Sequence, residues 1–532
     1  MELWDKVQKL WTKVKNWKTV RGWHIWKLKL VDARLYFVSM IVGLLTGLVA
    51  VPYHYLLYYL LDVRGSFFAS RPAWYWHIPL FFLFWGLLVF VSWLVKKMPL
   101  ISGGGIPQTR GAINGRITYQ HPFIELISKF VGGVLSFSAG LSLGREGPSV
   151  QIGSYVGSLV SRWTHILQGE RKQLLAAGAG AGLAAAFSAP LASSLIVIES
   201  IERFDAPKTA ITTLLAGVVA GAVASLVFPV NPYHLIDVAE PAITFFVQMK
   251  YFLILAVIVS VCGKIYSSIM ISFKRAYIKT DTPTHIRLLY LVLVAYTISL
   301  MQVNLTGGGE QFLLSQAQNG STDIMWVAAV MLLHFGFSVF SVSSGLPGGN
   351  FIPTLVTGGL LGQLVGLIGV HYGLIRHENV SYVMLICMSA FLVAIERTPL
   401  TAIVLITEIT GHFEVFYPSV VVGGLTYYFT ELLQMKPFNV TLYEDMIHAP
   451  DFKEEKRYTL SVEIMTDSYL DGKLVDELLL PERCIIINVH RDGKNLVPKG
   501  TRLIPGDQVQ IEMDSQDIEK LYEPLVSMAN IY

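Results

Sequence analysis

Leu143-Gly144-Arg145-Glu146-Gly147-Pro148, running straight into the helical stretch Ser149 to Val160, is the segment from which the rest of the chain can be read. Proline is favoured in the first turn of a helix, where its missing N–H would lack an intrahelical acceptor in any case. The glycines around Glu146 leave the backbone room to turn its amides toward a ligand. A helix N-terminus carries roughly half a positive charge and is a ready anion site. A carboxylate placed there competes for the seat, so Glu146 can hold the anion's own position and must leave, or take up a proton, before an anion passes. The plainer alternative makes Glu146 a helix cap or a surface partner of Arg145. Against it stands the apolar setting, in which an acid costs about 2.5–3.5 kcal/mol and is a functional candidate by default.

That setting is evident across the whole chain. Of 532 residues, 53% are hydrophobic and 15% charged, with a mean hydropathy of +0.51, whereas soluble chains run nearer 25% charged. Apolar stretches recur at Leu35 to Leu61, Ile78 to Val95, Thr212 to Val230, Tyr251 to Ile271, Leu288 to Leu300 and Trp326 to Val342. Several approach the roughly 20 residues a helix needs to cross a bilayer. Others, such as Val150 to Val160 and Leu400 to Ile409, are too short to span alone and predict half-helices or steeply packed helices inside a bundle. Residues 1–30 carry eight Lys and Arg against Glu2 and Asp5, with Trp4, Trp11, Trp17, Trp23 and Trp26 among them. This predicts an interfacial amphipathic helix on the cytoplasmic side. Cys262, Cys387 and Cys484 form no CxxC pair and predict neither a disulfide nor a metal site.

The membrane region repeats itself. Gly103-Gly104-Gly105 answers to Gly307-Gly308-Gly309 at an offset of 204, Pro148, Gly153 and Gly157 to Pro353, Gly358 and Gly362 at 205, and Pro190-Leu191 and Glu199 to Pro399-Leu400 and Glu408 at 209. Internal repeats mark transporter folds whose halves meet around a midplane site, here residues 33–230 and 245–436. The position matching Glu146 lies in Gly345-Leu346-Pro347-Gly348-Gly349-Asn350-Phe351-Ile352-Pro353 and holds no acid, which frees the amides of Asn350 and Phe351 for an anion. After Lys436 the chain turns polar. Strands are expected at Cys484 to Val489 and Gln508 to Met513, with a turn at Arg491-Asp492-Gly493-Lys494 and a helix from Ser515 to about Tyr522, stopped near Pro524.

GGGIP at 103–107, GREGP at 144–148, GNFIP at 349–353 and Tyr443 beyond the last membrane segment together resemble the CLC family of chloride channels and proton/chloride exchangers. The resemblance covers about residues 31–450. It implies an all-α polytopic membrane protein with an inverted-repeat CLC-type fold, a homodimer with one chloride pathway per subunit and no cofactor. It further implies that Glu146 is the gate and proton acceptor, that Gly104, Gly105, Ile106, Arg145, Gly147, Asn350 and Phe351 face the anion, and that the Tyr443 hydroxyl helps hold the central ion. Two positions depart from the family pattern. Gly104 stands where GSGIP supplies a serine hydroxyl, so one anion ligand is lost, or is supplied by water or Ser102. Ser200 stands at the proton-relay position, where exchangers commonly carry an intracellular glutamate.

Residues 455–532 resemble the TrkA-C type domain, a small cytoplasmic α+β regulatory module. Such domains dimerise and in several relatives bind a nucleotide such as cyclic di-AMP, for which Arg483, Asn488, His490 and Arg491 are the candidates. The reading is therefore an integral protein of a bacterial plasma membrane, both termini cytoplasmic, moving chloride by proton exchange. A passive or weakly coupled chloride channel is the alternative that Ser200 raises. A cation transporter or a nucleotide-sensing membrane scaffold would want acids or carbonyl rings along the path instead of paired helix N-termini. An enzyme using Glu146 would need a nucleophile or metal set, and neither an HExxH string nor a Cys/His cluster is present; no nucleic acid is expected as a partner.

Overall fold

A computed structural model of the chain describes residues 2–164, 168–201, 206–228, 233, 236, 238–239, 245–448, 457–465, 468–481, 483–491, 494–514 and 518–529, and for residues 2–32 the backbone alone. Two compact units divide it. Met40–Thr164 and Gln173–Phe452 form the helical unit, and Met1–Ser39, His165–Lys172 and Lys453–Tyr532 the other.

The helices fall into two series of eight. The first holds α1 (Glu2–Ala69), α2 (Trp74–Lys97), α3 (Ile106–Ile113), α4 (Pro122–Ser138), α5 (Glu146–Trp163), α6 (Gln168–Phe187), α7 (Pro190–Ile196) and α8 (Ala206–Ser225). The second repeats the pattern of lengths with α9 (Phe245–Lys279), α10 (Thr284–Gln302), α11 (Glu310–Asn319), α12 (Ile324–Ser343), α13 (Phe351–His371), α14 (Val380–Glu396), α15 (Pro399–Thr410) and α16 (Phe416–Leu432), after which α17 (Phe438–Ile447) closes the unit. The interfacial segment expected over residues 1–30 is helical and continuous with the first span in α1; its tryptophan and lysine side chains lie outside the described residues. Among the described residues, eight stretches are long and apolar enough to cross a membrane. Six overlap the apolar runs read from the sequence. The other two, Phe351–His371 and His377–Glu396, are interrupted by Thr354, Thr357, Gln363 and Ser389. Those polar groups are buried against neighbouring helices, which is why a search for unbroken apolar runs passes over them.

Small residues let the helices approach closely, as membrane bundles require. In the first half, a Cβ added at Gly153 would lie 1.9 Å from the carbonyl oxygen of Gly178, and one at Gly157 2.1 Å from that of Leu174, so α5 and α6 touch backbone to backbone. In the second half Gly358 and Gly362, the repeat partners, bring α13 against Phe391, Cys387 and Met384 of α14. An alanine cluster of Ala50, Ala177, Ala181, Ala185, Ala216, Ala220 and Ala224 draws α1, α6 and α8 together.

The halves also cap each other. Leu191 and Ala192, in the first turn of α7, donate their amides to Glu408 at 3.1 and 2.9 Å. Leu400 and Thr401, in the first turn of α15, donate theirs to Glu199 at 3.1 and 2.7 Å. Each helix begins with proline, so its remaining orphan amides are satisfied by a carboxylate from the other half. Glu199 reaches across from a single π turn, Val197–Ile201, at the end of α7.

In the other unit the C-terminal residues form a four-stranded antiparallel sheet of β1 (Arg457–Glu463), β2 (Ile485–Arg491), β3 (Lys494–Leu496) and β4 (Gln508–Asp514), in the order β1-β4-β2-β3. The expected strands are β2 and β4. The sequence reading passes over β1 because a run of charges leads into it, and over β3 because it has three residues. α18 (Ile518–Ala529) corrects the short C-terminal helix, since it runs through Pro524 instead of stopping there. Its far end is anchored by bonds from the Met465 amide to the Ala529 carbonyl and from Leu470 to Met528, at 2.9 and 3.1 Å, and Leu525 and Ala529 are buried. Ser515, Asp492 and Gly493 lie outside the described residues.

Gly178→Ala should destabilise the protein by about 1–3 kcal/mol through overpacking, because its Cβ would lie 2.0 Å from the Gly153 carbonyl oxygen. Gly86→Ala, with no atom within 4 Å of the added Cβ, should be neutral. Thermal unfolding of the detergent-solubilised variants checks both.

Candidate functional site

The two glycine-rich loops meet as an antiparallel pair. Gly144 donates its amide to the Gly349 carbonyl and Gly349 returns the bond to Gly144, both at 2.7 Å. A second tie joins the triple-glycine loop to the same strand, with Gly103 to Gly345 at 3.1 Å and Gly348 to Gly103 at 3.0 Å. These bonds set the N-termini of α5 and α13 against each other. Each helix carries proline as its third residue, Pro148 and Pro353. The first-turn amides without an intrahelical acceptor are therefore those of Glu146 and Gly147 on one side, and Phe351 and Ile352 on the other. The Glu146 side chain, with no exposure, is turned to the amides of Ile352 and of Glu146 itself. One of its oxygens would lie 2.6 Å from a Cβ at Gly144, and neither closes a full hydrogen bond. The carboxylate thus occupies the convergence point of both helix dipoles.

Arg145, expected to face the anion, has its charge committed elsewhere. Its guanidinium donates to both oxygens of Glu310, at 2.7 and 3.2 Å, and lies 4.6 Å from the centre of the Tyr58 ring. Only its Nε approaches Glu146, at 3.6 Å from Oε1. Glu310 opens α11 behind Gly309, which has a φ of 82°. Gly105, the repeat partner, opens α3 at a φ of 94°, a conformation open to glycine without strain. The pair neutralises itself, so Arg145 adds no net charge to the peptide dipoles of the two N-termini.

Beside the two N-termini lies a cavity of about 30 Å³. Of the residues expected to face the anion, Gly104, Ile106, Gly147, Asn350 and Phe351 line it, and Gly105 and Arg145 lie off the lining. The Tyr266 hydroxyl donates to Asn350 Oδ1 at 2.8 Å. That leaves the buried Asn350 Nδ2, which has no partner among the described residues, as a side-chain donor at the cavity. A Cβ at Gly104 would lie 3.2 Å from the Gly349 Cα, and one at Gly147 2.5 Å from the Gly104 carbonyl oxygen. The place where a serine is usual is thus a tight contact between the halves.

Tyr443 is buried on α17 outside the lining, with its ring against Gly111 and the Arg110 guanidinium 5.4 Å from its centre. Asn439, one helical turn earlier, lines the cavity with Phe438 and Leu442. Ser200 is buried off the cavity, its carbonyl accepting from Arg110 at 3.3 Å. The sequence reading passes over Lys274 of α9 and Glu396 of α14, which also line it. No motif marks either.

In the C-terminal domain, Arg491 is held by the buried Asp507 through two bonds of 2.7 Å and donates to the Arg502 carbonyl, so its fork is built into the sheet. His490 pairs with Asn495 at 2.8 Å. Asn488 is half-buried, and Arg483 is exposed at a φ of 68°.

With this geometry in place, comparison with known proteins gives the following. A family model described as voltage gated chloride channel matches residues 86–431, and a TrkA-C domain model matches residues 460–526. The H(+)/Cl(-) exchange transporters ClcA of Vibrio cholerae serotype O1 (strain M66-2) and of Klebsiella pneumoniae subsp. pneumoniae are each 29% identical to this chain. Each alignment covers 77% of the chain and 88% of the relative. The crystal structure of a slow cyanobacterial Cl-/H+ antiporter superposes with a TM-score of 0.71 at 26% identity, over 79% of this chain and 99% of that one. A CLC-type fluoride/proton antiporter, at 20% identity and a TM-score of 0.61 over 75% and 96% of the two chains, shares the fold.

Glu310→Gln should cost about 3–5 kcal/mol, because it leaves the Arg145 charge buried without its partner. Replacing both residues by methionine should recover most of that loss. Thermal unfolding of the two variants beside the native protein measures both effects, and a double variant no more stable than Glu310→Gln would show that the lost partner is not the cause.

Proposed function

Because the chain belongs to the voltage gated chloride channel family, we propose that its paired helix N-termini carry chloride across the membrane in exchange for protons, with Glu146 as both gate and proton acceptor. The observation that carries this reading is the Glu146 carboxylate, seated between the first-turn amides of α5 and α13. Those amides replace water around a partly dehydrated anion. They do so with partial charges, strongly enough to admit the ion and weakly enough to release it. Protonation removes the carboxylate's claim on the seat, and chloride takes its place; when chloride leaves, the deprotonated side chain returns. One group thus answers to both ions, and exchange follows from their competition. The relatives that resemble the chain over most of their length are exchange transporters, which favours exchange over the passive pathway that Ser200 alone suggests.

The protein works as a homodimer, one pathway to each subunit, in a bacterial plasma membrane with both termini cytoplasmic. The family carries a serine where this chain has Gly104, and here the Asn350 Nδ2 donor takes over that ligand role. The TrkA-C type domain binds a regulatory nucleotide, cyclic di-AMP being the first to try.

In proteoliposomes, an imposed chloride gradient should drive protons uphill through the native protein. Glu146→Ala should keep chloride flux and lose proton movement. Absence of halide flux, or proton coupling that survives the substitution, would sink the reading. Gly104→Ser should raise chloride flux relative to nitrate, and cyclic di-AMP in the same assay should change the native rate severalfold.

A further inference from the structure

Among the described residues, the cavity beside the two helix N-termini has one carboxylate in its wall, that of Glu396, while Glu146 lies next to the lining residue Gly147. Glu396, the last residue of α14, is 5% exposed and accepts a hydrogen bond of 2.6 Å from Asn439 Nδ2. Nothing in its own helix favours an anion there, because a C-terminal end is the negative pole of the dipole. Neighbouring charges are mostly engaged with one another: Arg397 with Glu431 and the Met435 carbonyl, Arg275 with Asp445 at 2.8 Å, and Lys436 with Glu444 at 2.9 Å. Lys274 of α9 is the cation lining the same cavity, and the Tyr266 hydroxyl of α9 is given to Asn350. A buried acid that is neither bridged to an arginine nor capping a helix, and that shares a cavity with an ion path, is a proton-handling group by position.

Two of the positions where the sequence would place that role, Ser200 and Glu199, are taken out of it, while Glu202 lies outside the described residues. Ser200 has no acidic proton and lies off the cavity. Glu199 spends both oxygens on the amides of Leu400 and Thr401 and on the Thr401 hydroxyl. The cavity, by contrast, runs from Gly147 and Gly349, against the gate, to Glu396 and Asn439. At about 30 Å³ it exceeds the roughly 10–15 Å³ one water needs.

Resting on the exchange reading, we propose that Glu396 is the second proton-transfer residue of this protein, taking over from Glu146 on the α17 side of the pathway, with Asn439 orienting its carboxylate. The O–H bond of protonated Glu146 breaks, the proton passes through water in the cavity, and an O–H bond forms on Glu396, which then releases the proton to bulk water. One carboxylate is neutralised as the other becomes charged, and no electron moves.

The test measures chloride and proton flux separately in proteoliposomes. If the native protein drives no protons against a chloride gradient, the exchange reading fails and this one falls with it. If it does, Glu396→Gln should keep chloride flux within about threefold while proton flux falls roughly tenfold or more. Glu396→Asp should restore part of it, which a packing role would not predict. Full coupling in the glutamine variant would overturn the proposal. So would a parallel fall of both fluxes, which assigns Glu396 to structure.

Discussion

Two hydrogen bonds between Gly144 and Gly349 hold the rest of the site in place. They bring together two backbone stretches that meet without side chains intervening, and they fix where α5 and α13 begin. With proline third in each helix, the count of outward-facing amides is also fixed, two from each side. The proposed anion site depends on the approach of the halves to within hydrogen-bond distance. The glycine contacts between α5 and α6 and between α13 and α14 hold the helices behind it rigid.

On that near-symmetric frame the chemistry is deliberately unequal. The first half places a carboxylate at the start of its helix and the second half places Phe351, so one side supplies a competitor and the other leaves its donors open. Arg145 might be read from its position as the charge that attracts the ion. Its bidentate bridge to Glu310 cancels that charge and turns it into a strut between the halves. An unpaired Arg145 beside the two helix starts would hold an anion more tightly than peptide dipoles alone.

The fold was legible because the repeat is written in residues with few substitutes. The glycines at close backbone contacts, the prolines at helix starts and the cross-capping glutamates recur at nearly constant offsets. The residue proposed as the gate was legible for the same reason, as a carboxylate between glycines before a proline. What stayed hidden depends on pairing between separate helices, 165 residues apart for Arg145 and Glu310 and 43 for Glu396 and Asn439. Nothing near Arg145 names Glu310, and nothing near Glu396 names Asn439. Tyr443 and Asn439 lie on one face of α17, a turn apart, and only packing decides which of them reaches the cavity. The spans α13 and α14 were obscured by polar residues that the bundle, and not the lipid, surrounds.

The exchanged caps at Glu199 and Glu408 have a historical consequence. A single unduplicated half, assembling as a two-fold pair of separate polypeptides, would close both helix starts with one glutamate codon. Fusing two copies of such a gene end to end would preserve every contact without new chemistry, and the two copies could then diverge at one residue, leaving the acid on one side alone.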